Sequence, residues 1–570
     1  MSINESDFMT RFPKSCLWLL IGAAIALGGC AGNPAATAPA GASAAETEAE
    51  HVAESWIVKA QKALVAGDID AAAKDYVQAA SHSTQPEVAA QATALAWHAG
   101  KTALAKQAAR RWHALEPDAP GPHHFLAVLA LHRHDLDAAA DQFHALLQAE
   151  SRKGDFMAVA DALASAGSPY EGFVVMRRLE SGNESNPDAE YALALLAARA
   201  EHTRLAREKI ESALALKPRW LPALMLRGRL LIDAGQADQA LAPVRALSEA
   251  APHEAAVKVQ YAELLFEAGR ADQARKLLQA VLDAHPQQPQ ALLLLALDRL
   301  DQEDEERASR YLTLLLESGE KVGQAYYYLG ELAARDEDYR MALEWLRRID
   351  NKDRTAADDL AVASVLARMD KLHAAREYLA DVREHDPQHV NALAVGEAQL
   401  LIKQRQPEAA LSLLDDILKS RPGDTELLYA RAMLAEQLGH HDRALTDVKR
   451  VVQLEPENTT ALNALGYMLT EHTRDYRRAR QYIEKALHYS PHNAAIIDSL
   501  GWVEYHQGDA QAAVETLQRA HRLNDDPEIS AHLVAVLRAT GERKKAQQVL
   551  ERALNKHPHS KSLKQLKSDS

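Results

Sequence analysis

Cysteine is almost missing from this chain. There are 2 in 570 residues, Cys16 and Cys30, and both fall in the first thirty. A disulfide framework for the body is therefore excluded, and so is a zinc site built on paired cysteines. Aromatic residues are scarce too, at 5% against 47% for all hydrophobic residues, so Ala and Leu carry the apolar content. That mix disfavours sheets, whose strands are rich in β-branched and aromatic side chains, and suits helices packed closely through small residues. Basic charge is in deficit: 65 Lys and Arg stand against 80 Asp and Glu, a net charge of -15. An acidic body is not drawn to phosphate backbones, which argues against nucleic-acid binding. The apolar stretch Cys16–Leu27 falls short of the about 20 residues that a mature membrane-spanning helix needs.

Catalytic signatures are missing as well. G-x-S-x-G, H-E-x-x-H and C-x-x-C do not occur, so no catalytic residue is assigned and the chain is not expected to be an enzyme. Gly100-Lys101-Thr102 matches the end of a phosphate loop, but Leu95 stands where that loop needs its first Gly. Histidine is frequent, at 25, and densest at His123, His124, His132, His134 and His144. His132 and His134 are two apart, so on a helix they diverge. The group reads as surface polar residues, and neither a metal nor a cofactor is expected. The acidic run Asp301–Arg307 lacks the Gly and the alternation of a calcium loop and reads as a solvated turn or a docking spot for a basic partner.

Of what is present, the N-terminus speaks first. Arg11 and Lys14 precede the apolar run, and Met9 opens a cleaner basic segment than Met1 does. This is the pattern of a signal peptide, to be set aside from fold reasoning. Leu27-Gly28-Gly29-Cys30 resembles the lipobox of bacterial lipoproteins. The resemblance implies cleavage before Cys30 and acylation (palmitate among the chains) of its sulfur and new amino group. Lipidation also accounts for a lone cysteine in an oxidising compartment. Ala31 rather than Asp after the cysteine implies, by the same resemblance, sorting to the outer membrane with the body facing the periplasm. We therefore expect a signal peptide over 1–29 and a lipidated Cys30 with a flexible tether over 30–50, where small residues and Pro show no apolar period.

The body carries a repeat. Ala206, Ala240, Ala274, Ala308 and Ala342 recur at one constant step. Ala194, Gly228, Ala262, Ala296 and Gly330 recur at the same step, each a fixed distance ahead of its alanine, and Pro218, Pro252 and Pro286 keep the same period. With one-residue slips the series continues through Ala375, Ala410, Ala444, Ala479, Ala513 and Ala546. A period of about 34 residues is that of a stacked helix–turn–helix unit. Each unit is expected to be two antiparallel helices that approach through small residues, the late Pro ending the second. In 460–493, Leu465-Gly466, Tyr476, Ala479, Ile483, Ala486 and Pro491 complete the pattern. It resembles the tetratricopeptide repeat. Ala72, Ala105 and Ala139 mark three weaker units upstream, and 151–186 is irregular, with Gly172 where Ala belongs. The fold class expected is all-α: a tetratricopeptide solenoid of about fifteen helix pairs, divergent over 51–186, regular over 187–560, then a basic tail over 561–570. Pro243 should kink or shorten its helix.

In tetratricopeptide proteins, positions 2, 5, 9 and 12 of each first helix usually face a groove. Carried onto this sequence, that resemblance selects Gln324, Tyr327 and Glu331 in one unit, then Glu426, Tyr429, Met433 and Glu436, then Asn463 and Tyr467, and then Asp498, Trp502 and Tyr505. Aromatic anchors beside hydrogen-bonding groups suit a protein partner. Leu293, Leu297 and Leu300 hold the same positions and mark either a docking patch or a place where the superhelix closes on itself. The stretch Leu462–Ala546 resembles more closely a group of outer-membrane tetratricopeptide lipoproteins of Gram-negative bacteria. Some of these are adaptors that bring cell-wall hydrolases to a periplasmic C-terminal processing protease. The match departs after "SAHL", at Val534, Ala535 and Arg538. The resemblance implies a lipid-anchored scaffold with protein partners, a processing protease among them. The competing reading is an assembly factor for surface polysaccharide, pilus or outer-membrane protein export.

Overall fold

The computed structural model describes residues 44–149, 152–351, 353–385 and 389–568. The expected signal peptide, Cys30 and the alternative starts Met1 and Met9 lie outside the described residues. Among the described residues there are 31 helices and no strand, and no helix is long and apolar enough to cross a membrane. The helices run as fifteen antiparallel pairs, from Ala44–Val65 with Ile69–His82 to Pro527–Ala539 with Arg543–Lys556, followed by Lys561–Ser568.

The sequence dictates the pair in three ways. Helix starts are capped by short polar side chains. Asp475 accepts from the Arg478 N–H at 3.2 Å, and Asn458 accepts from that of Ala461 at 2.9 Å, satisfying donors that the first turn leaves unpaired. Second helices end ahead of Pro218, Pro252 and Pro286. The turn inside a pair needs one left-handed residue, and at Gly235, Gly269, Gly439, Gly508 and Gly541 glycine supplies it, with φ between 70° and 92°.

The periodic alanines sit at the helix–helix seam. All eleven, from Ala206 to Ala546, are 2% exposed or less, and Ala72, Ala105 and Ala139 upstream are fully buried. On the facing helix the small residue is needed for space. A Cβ on Gly466 would lie 2.4 Å from Ile483 Cγ1 and 2.9 Å from the Ala479 carbonyl oxygen, and one on Gly501 would lie 2.7 Å from Leu517 Cγ.

The described residues form two compact units. The first takes the residues up to Gly167, then Val174–Leu179 and Gly319–Leu400; the second takes Ser168–Phe173, Glu180–Ser318 and Leu401 onward. In the first unit, Tyr76, Val77, Leu95 and Leu129 centre one core, and Leu346, Val362 and Val365 another.

In the second unit, two stretches far apart in sequence meet. The His202 ring stacks on Tyr489 with centroids 4.4 Å apart and lies 4.3 Å from Phe173, while its Nε2 is 2.9 Å from the Glu457 carbonyl oxygen. The buried Glu455 carboxylate accepts from Thr425 Oγ1 (2.6 Å), Asn458 Nδ2 (2.6 Å) and Ser168 Oγ (3.0 Å). Thr460 Oγ1 donates to Glu201 Oε2 at 2.8 Å, and Ser490 Oγ donates to the Glu201 carbonyl oxygen. Residues 168–204 therefore meet 425–490 within this unit. Leu293 is buried in its own repeat, and Leu297 and Leu300 are half-buried.

Three further expectations change. The helix Ala44–Val65 takes in residues 44–50 of the expected tether. Its Ala and Glu residues are good helix formers, and Glu50 anchors it by accepting from the backbone and hydroxyl of Thr84, both at 2.5 Å. The helix holding Pro243 runs Ala237–Ala250, 14 residues like its equivalents, so of the two outcomes expected, a kink or a shortening, the shortening does not occur. The basic tail is a capping helix, Lys561–Ser568, whose Leu563 is fully buried against the core of Leu533, Leu537 and Leu550.

Candidate partner-binding strip

Consecutive first helices lie side by side, so residues one repeat apart become neighbours. Tyr429, Asn463, Asp498 and His532 each stand one repeat after the last, with a single slip between Asn463 and Asp498, and Met433, Tyr467 and Trp502 run beside them. In the second unit the later rungs touch. Trp502 stacks on His532 with centroids 4.1 Å apart and planes at 18°, and Tyr467 lies 6.3 Å from the same ring. Tyr505 and His506 flank Trp502 at 5.5 Å and 4.8 Å.

Acids rim these rings. Trp502 Nε1 donates to Glu471 Oε1 at 2.7 Å, and the Tyr467 hydroxyl reaches Glu528 Oε1 at 3.5 Å. His532 Nδ1 lies 2.8 Å from Asp498 Oδ2. Burial opposes a charge on His532, but the hydrogen bond to Asp498 and the carboxylates of Asp498, Glu528 and Glu471 outweigh it and hold the imidazole above its usual range. Burial first, then Glu528, Glu471 and Asp498, pushes the Tyr467 hydroxyl up, so it stays a neutral donor.

Two buried acceptors on this strip have no hydrogen-bond partner: Asn463 Oδ1 and Asp498 Oδ1. An unmet buried acceptor costs about 1–3 kcal/mol. Two of them, on successive rungs and beside exposed aromatic edges, suit the N–H groups of an incoming chain. Surrounding carboxylates favour a segment that is cationic or rich in donors. Among the strip residues no nucleophile is paired with a base.

The sequence-selected residues divide as follows. Asn463, Tyr467, Asp498, Trp502 and Tyr505 share this strip. Tyr429 and Met433 lie earlier on the same ladder and are half-buried. Burial, then the charge of Glu201, pushes Tyr429 up to about 12, so the chain's own closing repeat already neighbours that end. Tyr327 and Glu331 belong to the first unit. There Tyr327 packs edge-on to Tyr328 at 5.1 Å, against the core of Leu346 and Val362, and burial, then Glu331, raises it to about 12. Its surroundings are those of a packing residue. Sequence reasoning missed His532, Glu471 and Glu528. One more repeat step from Asp498 would have reached His532.

Of the dense histidines, His123 is buried, not a surface residue, with Nδ1 2.9 Å from Gln142 Oε1 and Nε2 2.8 Å from the Pro117 carbonyl oxygen; His132 packs edge-on to Trp97 at 5.0 Å. Lys101 of the phosphate-loop-like turn pairs with Asp70 at 2.5 Å. Potential metal ligands gather instead at Glu436, His441 and His472. The two imidazoles stack at 3.8 Å, His441 Nδ1 lies 3.1 Å from Glu436 Oε2, and His472 Nε2 lies 2.6 Å from Oε1. Burial opposes ionisation of Glu436, yet the hydrogen bonds from His441 and His472 hold its carboxyl below the usual range.

Comparison with known proteins agrees with this architecture. One family model described as a tetratricopeptide repeat matches residues 231–297, 366–434 and 504–569, and a second of the same description matches 293–358, 429–474 and 471–527. The chain is 32% identical over 212 residues to a TPR repeat-containing protein of Pseudomonas aeruginosa, PA4667, which covers 37% of this chain and 36% of that protein. It is also 32% identical over 83 residues to the human FK506-binding protein-like, covering 15% of this chain and 22% of that one. The chain thus spans about a third or less of the length of these relatives. Among solved structures, yeast Tom70 aligns over 89% of this chain and 99% of its own, at 13% identity and a TM-score of 0.38. Cut9 in its complex with Hcn1 aligns over 92% and 97%, at 16% and 0.32.

Proposed function

We infer, from a chain that carries tetratricopeptide repeats within residues 231–358 and 366–569, that it is a protein-binding scaffold whose working surface is the strip Asn463, Tyr467, Asp498, Trp502, Tyr505 and His532. The observation that carries this is the pair of partnerless buried acceptors, Asn463 Oδ1 and Asp498 Oδ1, beside the Trp502–His532 stack. Aromatic anchors dominate binding energetics, and an extended or helical segment laid across successive first helices would meet all of these groups. Chemistry by this strip is binding, not turnover.

We further propose that Cys30 is acylated and tethers the scaffold to the outer membrane on its periplasmic side. On this reading the partner is a C-terminal processing protease, or a cell-wall hydrolase brought to it. Support comes from the lipobox resemblance at 27–30 and the adaptor resemblance over 462–546. Affinity capture from solubilised membranes, with partners identified by mass spectrometry, tests the reading. Trp502→Ala and Tyr467→Ala should each weaken capture by about 30-fold, the loss of a buried anchor worth ~2 kcal/mol. Full affinity in both variants would refute the strip. Recovery of an unacylated mature N-terminus, or retention of Cys30→Ala at the membrane, would refute the anchor.

A further inference from the structure

The carboxylate and two imidazoles at the junction of two repeats lie apart from the proposed strip contacts. Glu436 closes the first helix Thr425–Gln437, His441 opens the second helix His441–Leu454, and His472 ends the next first helix, Thr459–His472. Three separate elements thus bring their side chains to one point on a seam held by the repeat packing. The period does not require this: one repeat on from His441 the ladder carries Tyr476, and one on from His472 it carries His506.

We propose that Glu436, His441 and His472 bind a divalent transition-metal ion of the zinc class. Two imidazole nitrogens and a carboxylate oxygen are a donor set suited to Zn²⁺, Cu²⁺ and Ni²⁺ and unsuited to Ca²⁺ or Mg²⁺, which take oxygen ligands. Zinc bonds to such donors are about 2.0–2.2 Å, so tetrahedral ligand atoms stand about 3.3 Å from one another. Here the donor atoms all lie within 4.8 Å, with carboxylate-to-ring separations of 3.1 Å and 2.6 Å. Small side-chain rotations close that difference. At present both rings point a nitrogen at the same carboxylate. A metal ion takes the place of the shared protons, which pass to the other ring nitrogen or to water. Three protein ligands leave a fourth position for water. The ion would pin two consecutive repeats together and lower the freedom of the seam.

The test uses the full chain stripped with a chelator and titrated with Zn²⁺ alone against a chromophoric competitor. One ion per chain should bind. His441→Ala and His472→Ala should each lower affinity by at least about tenfold, and His373→Ala, a change at an exposed histidine elsewhere, should leave it unchanged. Glu436→Gln keeps the size and hydrogen-bonding reach of the side chain, so it should preserve the helical circular dichroism while weakening the ion. Absence of stoichiometric binding by the wild-type chain, or unchanged affinity in the folded Glu436→Gln protein and the His441→Ala/His472→Ala double variant, overturns the proposal.

Discussion

Gly466→Ala should loosen the repeat at 459–489, although alanine is the better helix former. In an exposed helix the exchange would gain about 1 kcal/mol. Here the new Cβ would lie 2.4 Å from Ile483 Cγ1, 3.0 Å from its Cδ1 and 2.9 Å from the Ala479 carbonyl oxygen. Ile483 is fully buried and cannot swing away, and the carbonyl belongs to the facing helix backbone. Overpacking of this kind costs about 1–3 kcal/mol, so the net effect is a loss of up to about 2 kcal/mol. Gly323 supplies the comparison. Its nearest atoms to a built Cβ are Ile349 Cγ2 at 3.6 Å and Asp353 Cβ at 3.9 Å, ordinary contacts, and its φ is not left-handed. Gly323→Ala should therefore stabilise its helix by up to about 1 kcal/mol. Because repeats open locally, hydrogen exchange is the assay rather than a single melting temperature. Peptides from 459–489 should exchange faster in Gly466→Ala, by up to about 30-fold, and those from 322–335 slower in Gly323→Ala. If Gly466→Ala slows exchange as Gly323→Ala does, the seam is not close-packed and the small-residue argument fails.

Other outcomes follow from the two polar clusters of the second unit. Because His532 is held above the usual imidazole range, its contribution is complete below that range and is lost as pH rises through the raised value. After division by the intrinsic base-catalysed rate, exchange of peptides around 494–539 should quicken as pH rises through that value, and Asp498→Asn should flatten the corrected dependence. Glu455→Ala strips the acceptor from Thr425, Asn458 and Ser168. It should cost roughly 1–3 kcal/mol, read as faster exchange at 168–173 and 455–460 while 289–318 is unchanged; Glu455→Gln should cost less.

The helix pairs were legible because close packing forces small residues into a fixed register. Ala206 through Ala546 could be read directly, since each must lie at a seam where a larger side chain would not fit. Pro218, Pro252 and Pro286 were legible for the same reason, each lacking the N–H that a continued helix needs. Contacts between distant repeats leave no such trace. Ser168 and Glu455 are 287 residues apart and no repeat spacing links them, whereas Leu293, Leu297 and Leu300 read in the sequence as either a docking patch or a closure point. The same limit hid the Glu436, His441 and His472 group, whose spacing along the chain matches no ligand motif. His123 was taken for a surface residue because its buried partners, Gln142 and the Pro117 carbonyl, are supplied by the fold. The strip was half legible. Register placed Asn463, Tyr467, Asp498, Trp502 and Tyr505 together, but could not tell that Tyr327 packs into a core or that Glu201 stands beside Tyr429. Lys561–Ser568 looked like a solvated tail because its one buried anchor, Leu563, is a single residue among lysines.

The central claim is that a protein segment lies across the first helices of 459–539. Site-specific photo-crosslinking tests it most directly. A photoreactive residue is placed in turn at Tyr467, at Trp502 and at Glu515, an exposed position on the second helix Ala510–Leu523. One and the same crosslinked partner is expected from positions 467 and 502, mapped by mass spectrometry to a single continuous segment, and none from 515. Crosslinks to that partner from 515 alone, with 467 and 502 silent, would contradict it.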